Sequence, residues 1–135
     1  MKTKPMLTEQ DVRSMLDAAQ QEAEREGWRV TIAVVDDGGH LLGLRRLDGA
    51  APVSAYISQE KARTAAMGRR PSKAYEDMIN NGRTSFLSAP LVGMLEGGVP
   101  MTVDGEVVGA VGVSGVKSDQ DAQIAQAGID AALKG

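Results

Sequence analysis

The chain has 135 residues, enough for one domain with a buried core and too few for a catalytic domain joined to a regulatory one. Its 15 Lys and Arg against 18 Asp and Glu leave a net charge of −3, and the basic residues are interspersed with acidic ones, so no electrostatic footprint for nucleic acid is present. The absence of cysteine excludes disulfides, thiolate metal sites and cysteine nucleophiles.

Two lysines lie between Met1 and Met6, but no apolar stretch of the kind a secretory signal needs follows them, which predicts a cytoplasmic protein. No apolar run approaches the roughly 20 residues that span a bilayer, so no membrane is expected as a partner. Thr8 with Asp11 is a capping-box-like start, and Val12, Met15, Leu16, Ala19 and Ala23 then follow helical spacing up to Gly27. From Trp28 to Asp36 a β-branched run, apolar on both alternating faces, suits a central strand. Asp37-Gly38-Gly39 is turn chemistry, so His40 to Leu47 is expected to return as its hairpin partner. Strict alternation there puts His40, Leu42, Leu44 and Arg46 on one face and Leu41, Gly43, Arg45 and Leu47 on the other.

After the loop Asp48 to Pro52, an alanine-rich helix is predicted from Ser54 to about Gly68, stopped by Gly68 and Pro71. Ser72 reads as the cap of a short helix through Asn80. Leu91 to Leu95 is either a short strand or a buried turn. Val99 to Asp104 and Val107 to Ser114 form a second hairpin around Asp104-Gly105. Ser118 with Asp121 begins a last helix to Leu133. Tight turns between strands predict one α+β domain over residues 1–135, with helices packed on a largely antiparallel sheet of four to five strands in a profilin- or PAS-like sandwich. With 16 Gly and 18 Ala but one Trp, one Phe and two Tyr, the core has few large side chains, and a homo-oligomer is the expected way to supply further burial.

Four segments in order carry a resemblance. They are Val34 to His40 with Arg46 to Ala50, Lys61-Ala62-Arg63-Thr64-Ala65, Gly97-Gly98-Val99-Pro100, and Gly109 to Gly115. Together they resemble the GlcG/HbpS-like, heme-binding-protein-like family. The resemblance implies an α+β domain that oligomerises, with heme binding in some members and links to cobalamin-related enzymes or small-organic-acid pathways in others. Heme is therefore the cofactor to expect if one is bound. Its iron ligand does not transfer, since the first helix carries Gln20, Gln21 and Glu22 where some relatives would suit a ligating histidine.

Each candidate residue has two readings. His40, the only histidine, suits iron ligation or general-base work near neutral pH, or is an exposed hairpin histidine. Arg46 or Arg45 is a clamp for a substrate carboxylate or heme propionate, or pairs with Asp36, Asp48 or Glu60. Lys61 shares a helical face with Ser54, Ile57, Ser58 and Ala65, a surface that points to partial burial and to base or Schiff-base chemistry, unless a carboxylate holds it charged. Gly97 and Gly98 present backbone donors to an anion or make a tight crossing into an edge strand, with Glu96 the nearest acid or base. Ser114 fits no G-x-S-x-G elbow and is a candidate for a pocket rim. No metal site is assigned. The two functions that follow are a small-ligand-binding protein, with heme or another tetrapyrrole as ligand, and a small lyase, isomerase or hydrolase of an organic acid using Lys61, Glu96 or His40.

Overall fold

The computed structural model describes residues 1–134. In chain order it contains α1 (Glu9–Glu26), β1 (Thr31–Asp36), β2 (Leu41–Arg46), α2 (Ser54–Gly68), α3 (Lys73–Asn80), a 3-10 turn (Thr84–Ser88), β3 (Gly98–Val103), β4 (Glu106–Ser114) and α4 (Ser118–Lys134). The strands form one antiparallel sheet in the order β2-β1-β4-β3. Residues 91–95 are irregular, with bends at Val92 and Leu95, which leaves four strands.

Local chemistry explains most boundaries. The Thr8 hydroxyl accepts the Asp11 N–H while the Asp11 carboxylate accepts the Thr8 N–H, a reciprocal cap that starts α1, and Gly27 ends it at φ 74°. Asp104 and Gly105 both have positive φ, as the type I′ turn between β3 and β4 demands. Two local expectations are corrected. Helix α2 runs through Gly68 and is terminated by Arg69 in the left-handed region, at φ 59°. Gly68 is needed instead for space, because a Cβ there would overlap the Tyr75 ring. Ser72 makes no cap bond; its hydroxyl accepts the Gly98 N–H at 2.8 Å and donates to the Leu95 carbonyl, tying the start of α3 to the start of β3.

Register sets two faces. On one, Val30, Ile32 and Val34 with Val111 and Val113 pack against Met15, Leu16 and Ala19 of α1 and Ile124, Ala125 and Ile129 of α4. Burying such branched side chains supplies about 1.5–3 kcal/mol each. On the other, Val35 and Ala110 meet Ala62, Ala65 and Ala66 of α2. There Gly112, opposite Ala33, lets the helix approach so closely that a Cβ would overlap the Ser58 carbonyl and the Ala62 N–H. The bulge between Val34 and Val35 pairs Leu41 with Val35 while Leu44 pairs with Ala33, so Leu41 joins the face of Leu44 and not that of Gly43 and Arg45.

Candidate functional site

Thr31 lies opposite both Arg46 and Ser114, so these three share one row at one end of the sheet, on the α2 face. The row is polar under the first two turns of α2: the Thr31 and Ser54 hydroxyls are 2.7 Å apart, and Ser58 is fully buried. Lys61 completes it. Its ammonium, with the residue only 4% exposed, donates to the Val113 carbonyl at 2.9 Å and to Asp121 Oδ2 at 3.1 Å. Asp121 Oδ1 in turn accepts the Val116 N–H at 3.2 Å. One side chain of α2 is thereby bound to the last strand and to α4, across 60 residues of sequence.

Burial pushes the Asp121 carboxyl above its ordinary range; the Lys61 ammonium and the Val116 N–H pull it back in part, and the negative charge of Glu96 adds to the rise. Its spacing from Ser118 predicts that Asp121 is a capping partner, and its bond to the Val116 N–H instead places it across the turn before α4. Gly97 and Gly98 roof the lysine. A Cβ on Gly97, whose φ is 136°, would come within 2.8 Å of Lys61 Nζ, and one on Gly98 would overlap the Lys61 carbonyl.

The structure thus gathers Lys61, Gly97, Gly98 and, beside Val113, Ser114, with Glu96 close enough to act on Asp121. Arg46 is exposed at the β2 end of the row and donates through Nε and Nη2 to the Ala50 carbonyl, at 3.3 and 3.2 Å, and not to the carboxylates expected of it. Arg45 pairs across α1 with Asp17 at 2.6 Å and with Gln20 at 3.1 Å. His40 stands apart, in the turn between β1 and β2 at the opposite end of the sheet, with an 81% exposed side chain. Its Nδ1 is 3.1 Å from Asp36 Oδ1, an oxygen that also accepts the His40 and Gly38 N–H groups. Burial works against the Asp36 charge, but these bonds outweigh it and hold the carboxyl below its usual range.

Two surface cavities have largely apolar walls. One, of about 430 Å³, lies between α1 and β2, walled by Leu7, Val12, Leu16 and Leu42 and rimmed by Arg13 and Arg45. The other, of about 380 Å³, lies between α3 and residues 87–95 and is lined by Ile79, Leu87, Leu91, Val92, Met94 and Leu95. Lys61 lines neither. Among the described residues no cluster of three or more His, Asp or Glu side chains is placed to hold a metal ion. A single nitrogen donor is available in His40, and its carboxylate-bonded Nδ1 orients the ring as metal-binding histidines are oriented. Met67, whose sulfur would lie 3.5 Å from a Cβ on Gly39, puts a thioether beside the same turn. These donors fit the chemistry of heme iron.

With α1 and α4 on one face of the sheet and α2 on the other, the chain is a three-layer α+β domain with a cleft open between α1 and β2. Residues 7–130 match the family described as haem degrading protein HbpS-like, and the chain belongs to that family. It is 61% identical over 114 residues, 84% of its length and 85% of the relative's, to the protein GlcG of Escherichia coli K12. The crystal structure of an HbpS double mutant from Streptomyces reticuli matches with a TM-score of 0.86 and 33% identity, over 96% of this chain and 89% of that one. A crystal structure of PduOC in complex with heme matches with a TM-score of 0.84 and 28% identity, over 94% and 95%. Among the described residues no helix is long and apolar enough to cross a membrane.

Proposed function

We propose that this chain is a small-ligand-binding protein whose ligand is heme or another tetrapyrrole. The observation that carries the reading is its likeness, over 94% of its length, to a relative solved as a heme complex. The cleft between α1 and β2 adds a site of suitable size and polarity. His40 lines neither cavity, but Asp36 occupies its Nδ1 and leaves Nε2 free, so it would ligate iron only in a heme that extends from the Leu42 wall of the cleft to the β1–β2 turn. Heme, when bound, supplies a redox-active iron and an absorbance that reports occupancy. Titration of the protein with hemin tests this: a saturable Soret shift at one heme per subunit, altered in band position by His40→Ala and unchanged by Lys61→Ala, is expected. No saturable shift in the wild type overturns it.

A second reading, proton transfer on a small organic acid, is favoured by one observation. Lys61 is a buried ammonium beside a carboxyl whose pKa is raised, a combination that marks reactive sites. Glu96 would serve as its acid or base, and Gly97, Gly98 and Ser114 would line the substrate. A metabolite screen in which turnover is lost in Lys61→Met supports it, and turnover retained there removes it. We also propose that the chain self-associates through the apolar side chains it exposes, Tyr56 at 74% and Val92 at 77% among them. Light scattering that finds only a 14.2 kDa particle contradicts that.

A further inference from the structure

The cavity between α1 and β2 combines apolar walls with a charged rim. Its walls, Leu7, Val12, Leu16 and Leu42, are aliphatic, and its lining also holds the guanidinium groups of Arg13 and Arg45 together with the Glu9 carboxylate and the Thr8 hydroxyl. Arg45 is the better placed of the two. It is half-buried, and Asp17 and Gln20 both engage Nη1, so the group is held in position. Its Nε and Nη2 find no partner among the described residues. A guanidinium anchored on one nitrogen and open on the others is suited to a carboxylate, which it binds through two parallel bonds.

The backbone holds the two walls at a fixed spacing. Gly43 of β2 faces α1, and a Cβ there would come within 2.9 Å of a Val12 methyl and 3.0 Å of a Leu16 methyl, so a larger residue would have to displace those side chains. The bulge at Val34 and Val35 takes Leu41 to the opposite face, while Leu42 lines this cavity with Leu7. Leu42 is left 43% exposed with nothing covering it, although its neighbours Val12 and Leu16 are buried.

We propose that this cleft binds the carboxylate of an amphipathic ligand on Arg45, with the ligand's apolar body against Leu42 and Leu7. The inference rests on the small-ligand reading and names its site. The same chemistry is offered by the propionate edge of a tetrapyrrole and by an aliphatic acid, and the test separates them.

Calorimetric titration of the wild type, Arg45→Met and Leu42→Glu uses four probes: hemin, hemin dimethyl ester, decanoate and decanol. A carboxylated probe is expected to bind the wild type at least about tenfold more tightly than its ester or alcohol counterpart. Arg45→Met removes that difference, and Leu42→Glu, a change at an exposed side chain that leaves the core intact, weakens both members of the pair. Hemin showing this pattern assigns the cleft to a tetrapyrrole; decanoate alone showing it keeps the cleft and overturns the tetrapyrrole reading. Hemin bound equally by the wild type, both variants and as its ester overturns the cleft and leaves heme binding standing. Binding of no probe by the wild type overturns both.

Discussion

The two faces of the sheet are built on opposite principles. Toward α1 and α4 the chain presents Val30, Ile32, Val34, Val111 and Val113 to Met15, Leu16, Ile124 and Ile129, and stability there comes from apolar bulk. Toward α2 it presents Ala33, Ala110 and Gly112 to Ser58, Ala62, Ala65 and Ala66, and the helix is held by close backbone approach and by one buried ion pair. Three of the segments that resemble the family, at residues 61–65, 97–100 and 109–115, meet on this second face. Their small residues record how near α2 lies to β3 and β4. A recurring motif can therefore specify a fit between backbones, while the ligand-sized cleft opens on the other face, between α1 and β2.

The contrast can be broken most severely at the ion pair. Asp121→Ala leaves the Lys61 ammonium buried without its carboxylate and is expected to cost about 3–5 kcal/mol, measured by urea denaturation. The double variant Lys61→Met with Asp121→Leu removes both charges and is expected to cost far less than the two single changes summed. Next comes Gly112→Ala. Its Cβ meets backbone atoms of α2 that cannot swing aside, so a loss of about 1–3 kcal/mol or more is expected for a single added methyl. On the bulky face the removal of one methyl is milder, and Ile32→Val is expected to cost about 0.5–1.5 kcal/mol.

The smallest effect is in the pH dependence. Because the folded-state carboxyl of Asp121 is raised above its ordinary 3.8, the folded protein holds that proton more firmly than the unfolded chain, and this group's contribution to stability falls as pH rises through the raised value. Asp36 and Asp37, whose carboxyls are depressed, act in the opposite sense: their contribution is present above 3.8 and is lost as pH falls through their lowered values. Asp121→Asn is therefore expected to remove a decline of stability between pH 3.8 and the raised value, seen in urea midpoints across that range; an unchanged profile contradicts it.

Much of this architecture is legible locally. The Thr8–Asp11 box, the five buried positions of α1 and the Asp104-Gly105 turn each rest on chemistry within a few residues, and the structure keeps all of them. Lys61 reads as partly buried because its helical face is small and partly apolar, and the fold buries it further, to 4% exposure. Its partner is not legible: Asp121 sits where a cap residue would, and only the fold brings it to Lys61. The bulge that sends Leu41 to the far face leaves no turn residue as a signal, and the partners of Arg45 and Ser72 also lie outside their local sequence. The cleft is missed for the same reason, being assembled from residues 7–16 and 42–45 with no shared motif.

The most direct test of the account is methyl NMR of the isotope-labelled protein during titration with hemin. Shifts or paramagnetic broadening centred on Leu7, Val12, Leu16 and Leu42, with Ala62, Ala65 and Val113 undisturbed, are the predicted result. Perturbation centred on the residues around Lys61, or none at all, would contradict it.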